Sequence, residues 1–256
     1  DAGQLVVATS QTHAQRILIN AWAERTEQAP TPRDRVLGTG LESDRNDQVD
    51  ILNTLARREA RQRGWITGTD HPYTAKGRTV AYAEGDQILI TTNIHRKARP
   101  SLANGTRALV TAVSDHGVDI TYWDDSGEHT DHLTARQAVT HVRHGYAMTT
   151  HKLQGQTVDS LVIDFGPERD LSSTYVALTR HRNDVLAVVN IADIAEGPEL
   201  EHLLAASPEV RRDAVIARAA AAISSRGFDT SPLAHDVTST PLPVVPPRFG
   251  SSLEAP

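Results

Sequence analysis

The hydrophobic positions follow three different rhythms along the chain. Leu5, Val6, Val7 and Ala8 form a short apolar run, and Ile17, Leu18, Ala21 and Trp22 then recur at helical spacing over residues 12–25, which predicts strand, turn, helix. Pro30 and Pro32 break that pattern. Ser43-Asp44 then stands where a cap would for a second helix carrying Val49, Leu52, Leu55 and Ala56 on one face, with Gly64 as its stop. From about residue 80 to 142 the period drops to two. Residues 87–91, 106–113 and 118–123 read as short strands, punctuated by Asn104-Gly105, Asp115-His116-Gly117 and Asp124-Asp125-Ser126-Gly127, and this spacing predicts a small antiparallel barrel. Beyond it the α/β rhythm returns: apolar strands at 160–165 and 185–189 bracket a helical stretch at 171–180. Such alternation predicts a mainly parallel sheet with helices on both faces, into which the small barrel is inserted.

Residues 198–225 show helical spacing in Leu200, Leu203, Leu204, Val210, Val215 and Ile216, interrupted at Pro208. Six of the 13 prolines fall in the last 26 residues, so residues 227–256 are expected to be disordered. The implied division is 1–79 and 143–195 for the two parts of the α/β body, 80–142 for the insertion, 196–226 for a helical segment and 227–256 for the tail.

Composition narrows the function. A chain of 256 residues with 39% hydrophobic and 23% charged residues is long enough for an ordinary core. It has no cysteine, which excludes a disulfide scaffold, a thiol nucleophile and a cysteine zinc site. Its longest apolar runs fall far short of the roughly 18 residues a membrane span needs, and no signal-peptide pattern opens it, so a cytoplasmic protein without a membrane partner is the default expectation. The net charge of −6 does not announce a nucleic-acid binder. Any such contact has to be local, and residues 141–157 contain Arg143 and Lys152 with no acidic residue.

That same window carries the most informative string: Tyr146-Ala147-Met148-Thr149-Thr150-His151-Lys152-Leu153-Gln154-Gly155-Gln156-Thr157-Val158-Asp159. Tyr175-Val176-Ala177-Leu178-Thr179-Arg180-His181-Arg182 follows at a short distance. The order and spacing of the two strings, with an apolar strand between them, resemble motifs V and VI of superfamily 1 helicases. They are most similar to the RecD-like branch and to the helicase portion of conjugative relaxases, whose patterns read Y-A-x-T-x-H-K-x-Q-G-x-T-V-D and Y-V-A-L-T-R-x-R. Leu52-Asn53-Thr54-Leu55-Ala56-Arg57 is similar to the family's segment near motif IV. Gly85-Asp86-Gln87-Ile88 and Asn104-Gly105-Thr106 resemble its small Src-homology-3-like barrel.

The resemblance implies a RecA-like second motor domain of the P-loop NTPase type, in an enzyme that moves on single-stranded DNA, 5′ to 3′ in this branch, using ATP and Mg²⁺ shared with an N-terminal motor lobe. It makes Arg180 the arginine finger, a charge delivered from the far lobe as negative charge redistributes on the γ-phosphate. Thr179 would orient that finger, Arg182 would be a second phosphate or structural contact, and Gly155 and Gln156 would lie on the nucleotide or coupling side. Thr149, Thr150, His151, Lys152 and Gln154 would meet DNA phosphates through hydroxyl, imidazole, ammonium and amide groups. Thr157 departs from the many family members that carry a Glu linked to the nucleotide sugar there. No G-x-x-x-x-G-K-[ST] string occurs, so these residues alone are not expected to hydrolyse ATP. With Asp1 as first residue and Met148 as the single methionine, the chain reads as an internal or C-terminal piece, and a relaxase domain belongs among the expected partners.

Other readings compete with this one. His129, His132, His141 and His144 form two H-x-x-H pairs, but residues three apart on a strand point to opposite faces, which disfavours a metal site. A non-catalytic DNA-binding or interaction module descended from a motor is the main alternative. Trp65 and Trp123 could stack on bases or pack in the core, Asn53 and Arg57 share one helix face and could touch nucleotide or merely cap and pair, and Tyr175 reads as core.

Overall fold

In the computed structural model the described residues are 4–96, 101–153, 156–166 and 169–226. The tail expected at 227–256 lies outside them, as do Gln154 and Gly155.

Strand β1 (Gln4–Ala8) ends at Ser10, whose hydroxyl accepts the His13 N–H at 3.2 Å and caps helix α1 (Gln11–Glu27). The proline pair does more than break the pattern. Pro32 occupies the first turn of a short helix α2 (Pro32–Leu37), where its missing N–H costs nothing, and Thr31 caps it. The next five residues form β2 (Thr39–Ser43), buried throughout. Helix α3 (Asn46–Gln62) therefore starts after Arg45, without a side-chain cap, and Ser43-Asp44 is not its cap. Ser43 instead closes the strand. The helix stops as anticipated: Gly64 takes φ +73°, its N–H reaches the Arg61 carbonyl, and the Trp65 N–H reaches that of Ala60.

Five parallel strands form the central sheet in the order β1-β12-β11-β2-β10, with β10 at Ala147–Thr149, β11 at Val158–Asp164 and β12 at His181–Asn190. Alternation along β11 divides the core. Val162 joins Leu18, Trp22, Leu41, Leu52 and Ala56 under α1 and α3, whereas Leu161 and Ile163 join Met148, Leu153, Val189, Leu203 and Val215 on the opposite face. That second face is covered by α5 (Thr150–Leu153), α6 (Leu171–Leu178), α7 (Gly197–Ala205) and α8 (Pro208–Arg226). Pro208 separates the last two helices by opening α8. Helices on both faces of a parallel sheet give the RecA-like architecture.

The antiparallel strands begin at His71. A hairpin of β3 (His71–Ala75) and β4 (Arg78–Tyr82) stands beside a five-stranded sheet ordered β8-β7-β6-β5-β9, built from β5 (Gln87–Ile90), β6 (Arg107–Ser114), β7 (Gly117–Asp124), β8 (Gly127–Thr134) and β9 (Val142–His144). Both share one core, including Tyr73, Tyr82, Ile88, Val110, Ile120 and Leu133. Among the described residues no ladder joins β8 to β9 or to the hairpin, so the unit is two sheets over a common core rather than a hydrogen-bonded barrel. Gly145 lets the chain leave β9 against β5: a Cβ there would lie 2.6 Å from the Ile88 carbonyl carbon.

Two buried polar side chains fix the antiparallel unit to the body. Asp86, fully buried, accepts two bonds from Arg57 of α3 at 2.8 Å, the Tyr146 hydroxyl at 2.7 Å and the Ala83 N–H at 2.8 Å. Asn53 accepts the N–H groups of Tyr146 and Ala147 at 2.9 and 3.0 Å and donates to the carbonyls of Ala147 and Val49. Both motif IV-like polar residues therefore serve the chain itself.

Asn53→Ala strips partners from two buried N–H groups and should cost about 3 kcal/mol of stability. A urea midpoint within error of the parent would refute that role. Burial holds the His144 imidazole below its ordinary value, although Asp86 lies 3.9 Å away. The unfolded chain then takes up that proton first, so His144 withdraws stability as pH falls below about 6.5 and is silent above it. Urea unfolding at pH 7.5 and 5.5 should show a loss that shrinks in His144→Gln; an equal loss in both proteins would assign the effect elsewhere.

Candidate functional site

The 145–157 stretch runs from β10 through α5 to the entry of β11, and each predicted residue meets a different environment. Thr149 ends β10 half-buried, and His151 is exposed on α5. Lys152 is half-buried, and burial, with Arg143 nearby, lowers its pKa. Thr150 is buried and does not offer its hydroxyl to solvent: it donates to the Glu42 carboxylate at the end of β2. Gln156 donates to the carbonyls of Gly105 and Lys152 at 3.1 and 3.2 Å, tying α5 to the loop before β6. Gln154 and Gly155, expected on the DNA and nucleotide sides, lie outside the described residues.

The second string forms α6 and the start of β12. Asp170 caps the helix in a reciprocal box with Ser173, and Thr179 ends it by donating its hydroxyl to the Tyr175 carbonyl at 2.8 Å. Arg180 follows at the edge where the parallel strands begin. Its carbonyl accepts the Val158 N–H at 2.9 Å, which sets Arg180 two residues from Gln156 across adjoining strands. Among the described residues no carboxylate pairs with Arg180, and its Nε is buried without a hydrogen-bond partner. Arg182 differs: it forms an exposed pair with Asp159 at 3.0 Å, an interaction of little energetic weight. Tyr175, expected in the core, is 68% exposed on α6 together with Leu178. The helical spacing placed it correctly on α6, but its face points away from the sheet.

The two strings are joined at the far end of the sheet by residues that no motif announced. Arg169, 2% exposed, donates to the Glu42 carboxylate at 2.7 Å, on the same oxygen that takes the Thr150 hydroxyl. Ser43 next to Glu42 donates to Asp164 at the end of β11 at 2.8 Å, and burial raises the Asp164 carboxyl above its ordinary value. One buried pair thus touches β2, the first turn of α5 and the residue before the α6 cap. A signal existed only in hindsight, as an arginine beside the Asp-x-x-Ser cap.

Between α5 and the antiparallel unit lies a groove of about 640 Å³. His151, Lys152, Gln156 and Thr157 form one wall, and residues 101–107 with Tyr122, Trp123 and Asp124 form the other. Trp65, by contrast, packs edge-on against Trp22 in the body. The four paired histidines disperse: His129 meets Asp124, His132 meets Asp119, His141 meets Thr92, and His144 lies by Asp86. Among the described residues no three His, Asp or Glu side chains converge on a point where they could hold a metal ion. No described helix is long and apolar enough to cross a membrane.

The chain is similar in part to several known proteins. The chain is 36% identical over 140 residues to the conjugal transfer protein TraA of Agrobacterium fabrum, and 30% identical over 137 residues to that of Rhizobium radiobacter. Each match takes in 54% of this chain but only 12% of the relative, so the chain spans about an eighth of the relatives' length. Among solved structures, the Pif1 helicase from Candida albicans aligns at a TM-score of 0.45 and 15% identity, covering 73% of this chain and 56% of that one. A Bacteroides Pif1 in complex with ADP-AlF3 and ssDNA aligns at 0.40 and 15%, covering 70% and 50%. Residues 92–188, which contain both motif strings, match the model of the viral superfamily 1 RNA helicase core domain.

Proposed function

We propose that this chain is the second motor lobe of an ATP-dependent translocase or helicase on single-stranded DNA, moving 5′ to 3′ in a conjugative relaxase whose first motor lobe and relaxase domain lie elsewhere in the same protein. The observation that carries the reading is the convergence of two separated strings. Val158 and Arg180 are hydrogen-bonded neighbours, so Gln156 and an arginine with no carboxylate partner among the described residues share one edge of the sheet. His151 and Lys152 look into a groove on the same α5 segment.

An arginine with its Nε buried and unpartnered fits an anionic ligand, and the terminal phosphate of ATP is such a ligand. ATP with Mg²⁺ supplies the phosphoryl group whose transfer to water drives movement. This chain's own part is the charge. Thr179 terminates α6 so that Arg180 leaves the helix at the sheet edge, and a guanidinium fixed there reaches a phosphate only when the opposing lobe closes, which couples hydrolysis to lobe movement. The metal's ligands are expected from the other lobe. On the DNA side Thr149, His151, Lys152 and Gln154 are the proposed phosphate contacts. Thr150 acts as an anchor, because its hydroxyl is committed to Glu42. Through that carboxylate and Arg169, the DNA-side helix α5 and the finger helix α6 share one rigid support.

In the parent protein containing both lobes, Arg180→Ala should lower DNA-stimulated ATP turnover roughly 10³-fold while leaving oligonucleotide affinity within twofold. Parallel loss of both quantities would point to misfolding and sink the finger assignment. His151→Ala with Lys152→Ala should instead weaken DNA binding and flatten its dependence on salt concentration. An unchanged salt slope would remove these two residues from the DNA contact.

A further inference from the structure

Residues 227–256 carry a string that the motor motifs do not absorb: Leu242-Pro243-Val244-Val245-Pro246-Pro247-Arg248. It contains the pattern P-x-x-P-x-R, and Arg248 is the one lysine or arginine after Arg226. Each proline fixes its own φ, so a sequence this rich in proline is biased towards the polyproline II helix with its three residues per turn. At that period Pro243 and Pro246 share one edge, and Leu242, Val245 and Arg248 share the next. A ridge of this kind loses little entropy on docking, and the surface that fits it is an aromatic-lined slot. The arginine at its end adds a requirement for carboxylates beside that slot.

The described residues hold a slot of that chemistry. Between the first turn of α2 and the β7–β8 hairpin lies a mostly apolar cavity of about 370 Å³, with Thr31, Pro32 and Arg33 on one side and Trp123, Asp124 and Glu128 on the other. It is distinct from the groove beside α5, although Trp123 borders both. The Trp123 indole N–H donates to Glu128 across the hairpin at 2.9 Å, which holds the half-exposed ring in one orientation, so little side-chain freedom is lost when a ligand packs on it. Asp124 accepts the Ser126 hydroxyl at 2.6 Å and the Ser126 N–H at 2.8 Å and meets His129 at 2.8 Å, all through Oδ1. These bonds, the Ser126 hydroxyl's foremost, hold the Asp124 carboxyl well below the ordinary carboxylate range, so it is anionic at neutral pH. Among the described residues Asp124 Oδ2 and Glu128 Oε1 accept no hydrogen bond, and Asp125 is exposed at the turn. Three carboxylates therefore stand at one end of the slot, while the arginine in its lining, Arg33, pairs with Asp34 at 3.7 Å.

The string is also within reach. Helix α8 ends at Arg226, which leaves residues 227–242 as the connection. A connection of that length spans at most roughly 55 Å, comparable with the full width of a body whose radius of gyration is about 17 Å. Tethering over such a distance sets an effective concentration near the millimolar range, so that even a weak contact is made most of the time.

We propose that residues 242–248 dock on the β7–β8 hairpin of the same chain, with Pro243 and Pro246 packed between Pro32 and Trp123 and Arg248 paired with the carboxylates at the turn. The docked segment ties the antiparallel unit to α2 of the parallel body, and the proposal does not depend on the motor reading.

The chain has no cysteine, so Ser251→Cys gives the full chain a single attachment point for bimane, a fluorophore that tryptophan quenches on contact. Trp22 and Trp65 pack against each other in the body, which leaves Trp123 as the quencher at the slot. Emission from the labelled chain should be roughly twofold lower than from the same chain carrying Trp123→Phe. Pro243→Ala with Pro246→Ala, and separately Arg248→Glu, should each raise emission to the Trp123→Phe level. High salt should raise it in the parent and not in Arg248→Glu, because the ion pair is exposed. Circular dichroism and melting temperature check the fold of each variant, and the substitutions at 243, 246 and 248 leave the hairpin sequence intact, so they carry the test even where Trp123→Phe disturbs it. Equal emission from the parent and Trp123→Phe, together with no change in the other variants, would overturn the proposal and assign the string to an aromatic groove on another protein. Quenching that survives the loss of both prolines would mark random collision, and quenching that deepens as protein concentration rises would mark docking on a second copy. Either result overturns docking within the chain.

Discussion

The Asp86 carboxylate is the joint on which the arrangement depends. It is fully buried where the antiparallel unit meets the parallel sheet, and it collects Arg57 from α3, the hydroxyl of Tyr146 just before β10, and the backbone of Ala83. A buried carboxylate is tolerable only with this degree of satisfaction, since a single lost partner leaves a charge in a poorly polarisable interior. Each donor comes from a different element, so the position of β10 is set by the helix before the insertion and by the turn that begins it. Asn53 adds the second fixed point, one helical turn from Arg57, by holding the backbone of Tyr146 and Ala147. The segment that continues into α5 therefore emerges from a rigid three-way junction. The groove between α5 and the antiparallel unit inherits that rigidity, because both of its walls are referenced to the same carboxylate.

Much of this was legible in the sequence, and the failures have physical causes. The strand-helix opening and the parallel core strands are local signals that the structure follows, whereas the antiparallel strands begin at His71, ahead of the change of period read near residue 80. Strand β2 was missed because Thr39, Gly40, Glu42 and Ser43 are polar or small, yet it lies in the centre of the sheet, where neighbours on both sides rather than its own side chains fix it. Tyr175 beside the Thr-Arg string reads as core, but the eight residues of α6 bury only Thr174 and Ala177. Periodicity over two turns cannot decide which face is inward. Asn53 and Arg57 read as capping and pairing residues ahead of nucleotide contacts, and the structure gives them internal partners.

The motif strings specified where chemistry would gather but not how the gathering is supported. Among the described residues Arg180 has no carboxylate partner, and that is a statement about three-dimensional neighbours that no string contains. The Glu42–Arg169 pair could not have been anticipated either. Glu42 lies 127 residues from its partner, and neither falls in a recognisable pattern. A buried ion pair of this kind is weak evidence for stability, because desolvation consumes most of the attraction. Its value is geometric: the shared Glu42 oxygen fixes the first turn of α5 and the approach to α6 relative to the end of β2. A displacement at one helix is then transmitted to the other through one short, charge-assisted contact rather than through a deformable core.

Charge distribution completes the argument. A chain of net charge −6 should repel polyanions at long range, so a strand of nucleic acid has to be held by short-range, desolvated contacts. The interior supplies them selectively. Acidic side chains are paired with arginine around Asp86 and Glu42, whereas Arg107 and Arg180 are left without carboxylate partners among the described residues. A buried cation with no carboxylate partner among the described residues, as Arg107 is, is held at a cost in folding stability. Arg107 is buried whole, whereas Arg180 is half-buried with only its Nε enclosed, so the two differ in how much of the guanidinium stays open to solvent. Long-range repulsion between like charges is screened within about 8 Å at physiological ionic strength, so such short-range contacts are weakened less by the chain's net charge than distant ones.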